Sequence, residues 1–478
     1  KAQLPSAEVS HSFPIMASMY IISAVALLLA GANAFSTHGA TAAHSRVFRG
    51  RQMQLSIVDR KSVCIVGGGF GGLYSALSIA KKMDAQTDVY LIDPKDSFVF
   101  LPLLYELAVG TASSVEVAPR YESLLQGSKI KFIKAAVDSV DFEGKVCKLR
   151  GVQGEVPESL KFDQLVVSVG IQPRTDLIPG AKDRSLTLPF YTVTDAFDLK
   201  KKLKALKASK KEDISVAVIG GGYSGVEVAT NVAQSLGDRV KVTIIDRNNM
   251  VMQSSPEHNR RVAEKSLEKF GIDCRFNTSV NAIRDQGLIL LCPDGKTVGF
   301  DTDLVLFTAG TEQSLFIKSL GLEKDAFGRI LTSSTLQSKT YNEVFALGDC
   351  AGVEGGSTPC TAQVAMQQSG VVAKNVLRNL KFERRVAAKT ARGESVAVTP
   401  PKLAEFKYLN LGEMLSLGDT NAAITSLNGK LKLSGPLAAA GRRAIYTVRM
   451  PTATQAIKAA ITAGAVTTGK LLAARFNK

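Results

Sequence analysis

A glycine motif of the form G-x-G-x-x-G occurs twice in this chain, with the two copies 153 residues apart. The first copy lies in residues 62–72 (SVCIVGGGFGG) and the second in residues 215–225 (SVAVIGGGYSG). A β-branched apolar run precedes each copy, and a helical pattern follows it. Each helix then leads to a second apolar strand that ends in an aspartate, Asp93 or Asp246. Matching offsets of strand, helix and acid predict a βαβ unit at each copy.

Each part of the motif suits the binding of a dinucleotide. The first glycine makes a tight turn, the second lets the backbone approach a pyrophosphate, and the third packs the helix against the strand. The phosphates lie at the helix N-terminus, and the strand-end aspartate accepts from a ribose hydroxyl. A single copy is weak evidence, but two copies predict an α/β chain with two Rossmann-like domains. Two domains predict two dinucleotides, FAD and NADPH or NADH, with hydride passed between them.

Composition excludes several other classes of function. Of four histidines, His11, His38 and His44 lie near the N-terminus, so a histidine metal site or a Ser-His-Asp triad is nearly excluded and no metal is predicted. Six cysteines show no C-x-x-C spacing, which argues against a zinc ribbon or a dithiol relay. The net charge of +16 is concentrated in residues 1–58 and 420–478, and a nearly neutral body does not fit a nucleic-acid-binding domain.

Residues 1–60 are interpreted as a targeting leader. Residues 20–30 (YIISAVALLLA) form a short apolar run that leads into a small-x-small cleavage pattern at residues 32–34. Residues 35–58 are rich in Ser, Thr, Ala and Arg and contain no acid, which is typical of a transit peptide. A signal peptide followed by a transit peptide resembles the bipartite presequences of algae with extra-membrane plastids. The leader therefore predicts a plastid protein on the thylakoid or plastoglobule membrane, and plain secretion is the alternative.

The order of motifs resembles the two-dinucleotide-binding-domain flavoproteins, whose N-terminal copy binds FAD and whose inserted copy binds NAD(P)H. Residues 162–170 (FDQLVVSVG) and 302–310 (TDLVLFTAG) are similar to the crossovers that close the two nucleotide domains, and residues 344–349 (VFALGD) resemble the late FAD motif. Residues 98–110 (FVFLPLLYELAVG) and 358–368 (TPCTAQVAMQQ) resemble the type II NAD(P)H:quinone oxidoreductases. The LYELAVG segment and residues 406–418 (FKYLNLGEMLSLG) resemble most of all the plastid branch of that family.

This resemblance implies that hydride passes from NAD(P)H through FAD to a lipophilic quinone of the plastoquinone or demethylphylloquinone type, without proton pumping. The residues expected to bind FAD are Gly67, Gly69, Phe70, Gly71, Gly72, Asp93, Val137, Gly170, Asp349 and Ala362. The residues expected to bind the nicotinamide dinucleotide are Gly220, Gly222, Tyr223, Ser224, Gly225, Asp246, Arg247 and Gly310. Asp246 favours NADH, whereas Arg247 is placed to pair with the 2′-phosphate of NADPH, so use of both is expected.

Three residues are expected to take part in quinone reduction. Gln363 and Gln367 are four residues apart, so they share one helix face, and the resemblance implies that their amides face the quinone. The alternative is an ordinary polar helix face. Glu227 follows the second motif, where the resemblance implies a place near the flavin and help with quinone protonation. The alternative for Glu227 is favourable interaction with the helix dipole.

The C-terminal region is predicted to lie on a membrane. Past Pro436 two helical stretches contain no acid; in the first, Leu437, Ile445 and Val448 share one face while Arg442, Arg443 and Arg449 lie on the other. In the second, Ile457, Ile461, Leu472 and Phe476 fall within a broad arc. Amphipathic, basic helices are typical of an in-plane anchor on anionic lipid. The alternative is packing on the body of the protein or on a second subunit in a homodimer.

These interpretations divide the chain into five parts: the leader (residues 1–60), an FAD domain in two parts (residues 61–182 and 311–380), an inserted NAD(P)H domain (residues 183–310), and a linker with the membrane-anchor or dimer region (residues 381–478). Two other functions stay open at this point. One is a sulfide:quinone oxidoreductase that uses Cys147 and Cys360 beside the flavin. The other is a flavoprotein that acts as a membrane scaffold, similar to the apoptosis-inducing flavoproteins.

Overall fold

A computed structural model of the chain describes residues 60–476 apart from residues 153, 175 and 396–398, and describes side chains as far as residue 464. Except for Arg60, the predicted leader lies outside these described residues. So do the side chains of Leu472 and Phe476, which the sequence placed on the membrane-facing arc. Within the described residues, no helix is both long enough and apolar enough to cross a bilayer.

Strands and helices alternate through most of the described chain. The strands are β1 (Lys61–Val66), β2 (Thr87–Asp93), β3 (Ile130–Asp141), β4 (Val146–Gly151), β5 (Ser159–Lys161), β6 (Gln164–Val167), β7 (Gln172–Pro173), β8 (Thr187–Pro189), β9 (Ile214–Ile219), β10 (Val240–Ile245), β11 (Asp273–Arg275), β12 (Ser279–Arg284), β13 (Gly287–Leu291), β14 (Thr297–Asp301), β15 (Leu304–Phe307), β16 (Thr311–Glu312), β17 (Ile330–Thr332), β18 (Val344–Ala346), β19 (Ala351–Val353), β20 (Glu413–Ser416), β21 (Ala422–Ser426) and β22 (Leu431–Ser434). The helices are α1 (Phe70–Ala80), α2 (Leu104–Val109), α3 (Ser114–Val117), α4 (Tyr121–Leu125), α5 (Val193–Ala208), α6 (Tyr223–Leu236), α7 (Glu257–Lys269), α8 (Leu315–Ser319), α9 (Ala362–Ala391), α10 (Gly435–Val448) and α11 (Ala453–Phe476).

The first sheet has seven strands in the order β18-β6-β1-β2-β3-β4-β5. Strands β18, β6, β1, β2 and β3 run parallel, while β4 and β5 are added antiparallel beyond β3. Residues 63–66 of β1 and 165–167 of β6, at the centre of the sheet, are all apolar and buried, because helices cover both faces of a parallel sheet. The sheet gathers strands from residues 61–167 and from residues 344–346, so the chain leaves this unit and returns to it.

The second sheet repeats the centre of the first. Its order is β11-β10-β9-β15-β8, with all strands parallel, and β15 pairs with β9 as β6 pairs with β1. An antiparallel meander of β12, β13 and β14 accompanies it. The two connections between the units pair with each other, since β7 and β16 run antiparallel. A double connection of this kind is what an inserted domain requires.

The C-terminal region docks on both units. Strands β20, β21 and β22 form an antiparallel sheet, and β21 packs against α7 while β20 packs against α6. Helix α10 packs on β21, and α11 packs on α3 and on α10. This region therefore bridges the two nucleotide-binding units.

The linker predicted to start at residue 381 is wrong for its first part. Helix α9 continues from Ala362 to Ala391 without a break. Contacts with the first unit hold its second half: the Gln164 amide donates to Glu383 at 2.6 Å, and Arg384 pairs with Asp84. The sequence pattern missed this because the partners are more than 200 residues away along the chain.

Candidate functional site

The first glycine motif forms a tight turn between β1 and α1. Gly67 adopts φ of +98°, and a Cβ there would lie 2.4 Å from the Ser168 carbonyl oxygen. A Cβ on Gly72 would lie 1.8 Å from the Gly67 carbonyl oxygen, so the third glycine is required for the helix to approach the strand. A Cβ on Gly69 would meet nothing within 4 Å. The backbone at Gly69 is thus open to a ligand, as a pyrophosphate site requires.

Asp93 fixes this turn from the end of β2. One carboxylate oxygen accepts from the Gly68 amide at 2.7 Å and the other accepts from the Lys95 amide at 2.8 Å. Burial raises the pKa of Asp93, and these two backbone hydrogen bonds oppose the shift. Each carboxylate oxygen keeps a further lone pair, so a ribose hydroxyl could still donate to Asp93.

The second motif reproduces this geometry. Gly220 adopts φ of +106°, and a Cβ on Gly225 would lie 1.8 Å from the Gly220 carbonyl oxygen. Asp246 accepts from the amides of Gly221 and Asn248, as Asp93 does from Gly68 and Lys95. Beside Asp246 lies an open cavity of about 270 Å³, lined by Gly221, Gly222, Tyr223, Asp246, Asn248, Met252, Gln253, Ser254 and Ser255. The cavity is placed where a dinucleotide would enter.

The other residues expected to bind FAD surround the first turn. Val137 lies in β3, three residues beyond the last pairing of β3 with β2, and Gly170 follows β6 with φ of +67°. Asp349 follows β18 in a short 3₁₀ turn, where burial raises its carboxyl pKa to about 6 and Arg329 opposes the shift. Ala362 begins α9. These positions follow the carboxyl ends of parallel strands, where open α/β sheets bind ligands.

Only parts of Phe70 and Tyr223 are available to a cofactor. The Phe70 ring packs edge-on against Phe98 and Phe100, with centroids 5.0 and 5.4 Å away, which leaves its backbone at the start of α1. The Tyr223 hydroxyl donates to Glu413 of β20. Gly71 contacts Leu347 and Ser168 rather than open space.

The remaining residues expected to bind the nicotinamide dinucleotide lie at the edges of the second cradle. Ser224 is exposed in the first turn of α6, and Arg247 is exposed beside the cavity. Gly222 is the N-cap of α6, in extended backbone that any residue could adopt. Gly310 has φ of +79° directly after β15, as Gly170 does after β6.

FAD fits the first cradle on the evidence of its own residues. The N-terminus of α1 has no side-chain cap and no acid in its first turn, so its amides are left for an anion. Gln368 is 1% exposed, and its carbonyl oxygen accepts from the Gly348 amide at 2.7 Å. Its Nε2 has no partner among the described residues. A buried unpartnered donor beside the late FAD motif is accounted for by a ligand acceptor.

Glu227 lies at the interface between the two units and the C-terminal sheet. Its Oε1 accepts from the Ser416 amide at 2.9 Å, and the Tyr105 hydroxyl of α2 lies nearby and favours the ionised form of its carboxyl. Burial raises the pKa of Glu227 to about 7, a shift that the Ser416 amide and the Arg442 cation oppose. A carboxyl group with this pKa exchanges protons at neutral pH, as a general acid must.

The glutamine pair is bound within the protein itself, and its contact with a quinone stays a prediction. Gln363 and Gln367 do share a face of α9, but their amides bind the extended segment 408–412. Gln363 accepts from the Leu411 amide at 2.9 Å and from the Tyr408 hydroxyl at 3.1 Å, and it donates to the Gly412 carbonyl at 3.2 Å. Gln367 exchanges two hydrogen bonds with the Leu409 backbone at 2.8 and 3.0 Å. The pair fastens this segment to α9, because unpaired backbone amides attract a side-chain amide.

The cysteines do not form the pair that sulfide chemistry would need. Cys147 is fully buried in β4, against the Cys64 thiol on β1. Cys360 is exposed before α9, near Arg329 and Asp349. The interpretation that Cys147 and Cys360 act together beside a flavin is therefore not supported. Among the described residues, no group of three metal-ligating side chains is found.

Sequence reasoning missed four residues of this region. The Tyr121 hydroxyl donates to the Gly68 carbonyl at 2.9 Å and fills the space beside that glycine. Tyr105 and Arg442 contact each other beside Glu227, and Gln368 holds the late FAD motif. The adjacent glutamines at 367 and 368 were a signal for the last residue. Tyr105 and Arg442 had none, since they are 337 residues apart.

Comparisons with known proteins agree with this geometry. Residues 61–369 match the family model described as pyridine nucleotide-disulphide oxidoreductase. The chain is 38% identical over 399 residues to demethylphylloquinone reductase NdbB of Synechocystis sp., covering 82% of this chain and 93% of that protein. It is 33% identical over 426 residues to alternative NAD(P)H-ubiquinone oxidoreductase C1, chloroplastic/mitochondrial, of Arabidopsis thaliana, covering 82% and 78%.

A solved structure shares the fold. The structure of NDH2 from Plasmodium falciparum in complex with NADH aligns with a TM-score of 0.70 at 16% identity, covering 84% of this chain and 97% of that one.

Proposed function

Because the chain belongs to the type II NAD(P)H:quinone oxidoreductases of the pyridine nucleotide-disulphide oxidoreductase family, we propose that it oxidises NADH or NADPH and reduces a lipophilic quinone at a membrane surface. Two equivalent cradles, at residues 67–72 and 220–225, carry this proposal. Bound FAD supplies the chemistry: it accepts a hydride from the nicotinamide and gives two electrons to the quinone. Residues 67–72, Asp93, Asp349 and Gln368 hold the FAD.

The acceptor is a quinone of the demethylphylloquinone or plastoquinone type. The 38% identity to a protein named demethylphylloquinone reductase supports this choice, and so does the 33% identity to a chloroplastic and mitochondrial relative. The same likenesses support a plastid location. The thylakoid or plastoglobule membrane is our proposal for the place within the plastid.

Glu227 supplies a proton to the quinone. Reduction of a quinone to a quinol takes up two protons, and no histidine of the described residues lies in this cluster, since His258 bonds to the Leu433 carbonyl on β22. The carboxyl of Glu227 has a pKa of about 7, because burial favours its protonated form. General acid catalysis is most efficient when the pKa of the acid lies near the working pH.

The C-terminal helices place the protein on the membrane. Leu437, Val448, Ile457 and Ile461 are about half to two-thirds exposed, and they form an apolar surface on α10 and α11. Residues 420–478 contain nine Lys or Arg and no acid, which favours an anionic lipid surface. A quinone dissolved in the bilayer would then reach the site without crossing water.

Turnover in defined vesicles tests the proposal. The purified flavoprotein is mixed with anionic liposomes that contain plastoquinone or demethylphylloquinone, and NADH or NADPH oxidation is followed at 340 nm. We expect quinone-dependent oxidation of both cofactors and no quinol formation when sulfide replaces them. Slow oxidation that does not depend on quinone would instead indicate a scaffold flavoprotein, and sulfide-dependent quinol formation would indicate a sulfide:quinone oxidoreductase.

A further inference from the structure

Helix α10 directs one arginine into the interior of the protein. Its inner face carries Ala438, Arg442 and Tyr446 on successive turns, and Arg442 is only 3% exposed. Burial of a guanidinium is strongly unfavourable unless it is paired and hydrogen-bonded. The sequence pattern placed Arg442 on the basic face of a membrane-lying helix, and its burial shows that this is wrong for Arg442.

The partners of Arg442 belong to α2 of the FAD-binding unit. Arg442 Nη1 donates to the Tyr105 hydroxyl at 2.6 Å, and Nη2 pairs with Glu106. The guanidinium also lies over the rings of Tyr105 and Tyr446, at 5.8 and 5.2 Å from their centroids. The Tyr105 oxygen accepts from the cation, so its own hydrogen is left to donate elsewhere.

Glu227 lies beside that hydroxyl, where α2 packs against α6. The Tyr105 hydroxyl and the Arg442 cation both favour the ionised form of the Glu227 carboxyl, while the Ser416 amide of β20 donates to its Oε1 at 2.9 Å. Arg442 therefore acts on the first turn of α6 both through its charge and through Tyr105, whose hydroxyl it holds at 2.6 Å. Glu106 and Tyr446 are the other titratable groups that act on Glu227.

The charges of this cluster do not balance when all of its acids are ionised. Glu106 binds both Arg442 and Arg443, and Arg443 also contacts Glu116 at 3.0 Å. With Glu227 there are three carboxyl groups for two guanidinium groups. Burial of a net negative charge is unfavourable, so the cluster favours a retained proton.

We propose that Arg442 and Tyr105 are positioning residues that orient the Glu227 carboxyl and set how readily it holds its proton. On this view α10 is a part of the proton-donating apparatus as well as a docking element. The proposal rests on the proposed function in one respect, namely that the proton leaves a Glu227 oxygen for a quinone oxygen. The resulting carboxylate then takes a proton from water, and the hydride from NAD(P)H supplies the two electrons and the other proton of the quinol.

An infrared titration of the flavoprotein tests the proposal without reference to turnover. The carboxylic C=O band that disappears in Glu227→Gln reports the protonation of Glu227. In Tyr105→Phe the ring still packs, but the hydroxyl that Arg442 holds and that favours the ionised form of Glu227 is lost. The midpoint, which is the pH at which half of this band is lost, should therefore rise from about 7 by about one pH unit. Arg442→Gln combined with Glu106→Gln removes the buried pair together, and the midpoint should rise here too because the cation has the larger effect on Glu227.

A matched control separates positioning from general disturbance. Tyr341→Phe removes a hydroxyl that donates to Glu143 at 3.2 Å, and its ring stays stacked on Phe142, outside this cluster. Its midpoint should stay at the wild-type value. A midpoint that is unchanged in Tyr105→Phe, or that moves as far in Tyr341→Phe, would overturn the proposal.

The reoxidation of the reduced protein by a soluble quinone, measured against pH in the same variants, tests the proposed function separately. If the pH dependence of the reoxidation rate shifts with the midpoint of the infrared band, then Arg442 and Tyr105 position Glu227 and Glu227 is the proton donor. If the band moves and the rate profile does not, Arg442 and Tyr105 still position Glu227, but Glu227 is not the proton donor.

Discussion

At the scale of single residues, the glycines of the first motif have two separable duties. Gly72 allows close packing within the protein, because a Cβ there would lie 1.8 Å from the Gly67 carbonyl oxygen. Gly69 faces open space, so any constraint on it comes from a ligand.

Paired substitutions test this distinction. In Gly69→Val the free energy of unfolding of the apo protein should stay within about 0.5 kcal/mol of the wild-type value. The purified protein should nevertheless be colourless, because the valine side chain occupies the place of the FAD pyrophosphate. Gly72→Ala should lower stability by at least about 1–3 kcal/mol. Flavin absorbance and thermal unfolding are the measurements. A yellow, active Gly69→Val protein would contradict the assignment of FAD to this cradle.

Nicotinamide choice also depends on single residues. Asp246 holds the amides of Gly221 and Asn248, so Asp246→Ala would loosen the turn and should impair both cofactors rather than shift preference alone. Arg247 is exposed beside the cavity, so it is the cleaner test.

We predict that wild type prefers neither cofactor by more than about tenfold, or 1.4 kcal/mol. Arg247→Ala should lower kcat/KM for NADPH by about tenfold and leave NADH within about twofold, since a guanidinium pairs with phosphate. Arg261→Ala, which removes an exposed arginine on α7 of the same unit, is the control. Equal kinetics in Arg247→Ala and wild type would mean that Arg247 points into solvent.

At the scale of elements, α9 and the segment 408–412 act together. Gln363 makes three hydrogen bonds to this segment and Gln367 makes two. The segment then continues into β20, whose end supplies the Ser416 amide to Glu227. Fixing the segment therefore fixes one of the contacts that orient Glu227.

Gln363→Met should release the segment while keeping the helix. Reoxidation by quinone should slow by about tenfold, equivalent to 1.4 kcal/mol, whereas flavin reduction by NADH should change less than twofold. Rapid mixing measures the two half-reactions separately. Gln126→Met, at an exposed position after α4, serves as control. Loss of flavin reduction in Gln363→Met would show that α9 serves the flavin and not the quinone.

The elements also show what the sequence could predict. The motif spacing correctly predicted both turns, both strand-end aspartates and the shared face of the glutamine pair, because these depend on neighbours within about 30 residues. The partners of Gln363 and Arg442 lie 49 and 336 residues away, and no local period carries that information. The amphipathic pattern of α10 likewise predicts an apolar face and a basic face. It cannot show that Glu106, from a distant part of the chain, binds the arginines of the basic face.

At the scale of the whole molecule, the C-terminal region has two sides with different duties. Its inner side carries Arg442 to Tyr105 and Glu106, so deleting the tail would disturb the cluster around Glu227 as well as any membrane contact. Its outer side is apolar and exposed, and it can be changed without touching the cluster.

Substituting Gln at Leu437, Val448, Ile457 and Ile461 should abolish liposome binding. Burial of each such side chain in the bilayer contributes about 1.5–3 kcal/mol to the free energy of membrane binding. Loss of all four should therefore lower the partitioning of the protein onto liposomes at least about a hundredfold. Turnover of a short soluble quinone should stay within twofold. The control replaces Leu315 and Phe327, which are even more exposed and lie outside α10 and α11. If sedimentation shows that the fourfold variant dissociates from a dimer but still binds vesicles, the surface is a subunit interface.

The central claim is that electrons enter from NAD(P)H and leave to a quinone through one flavin. Anaerobic stopped-flow absorbance at 450 nm tests it most directly, with the protein mixed first with NADH or NADPH and then with a plastoquinone analogue. We predict rapid bleaching by either cofactor and full return of the flavin absorbance on mixing with the quinone. Sulfide alone should leave the flavin oxidised. Bleaching by sulfide, or a reduced flavin that the quinone does not reoxidise, would contradict the account.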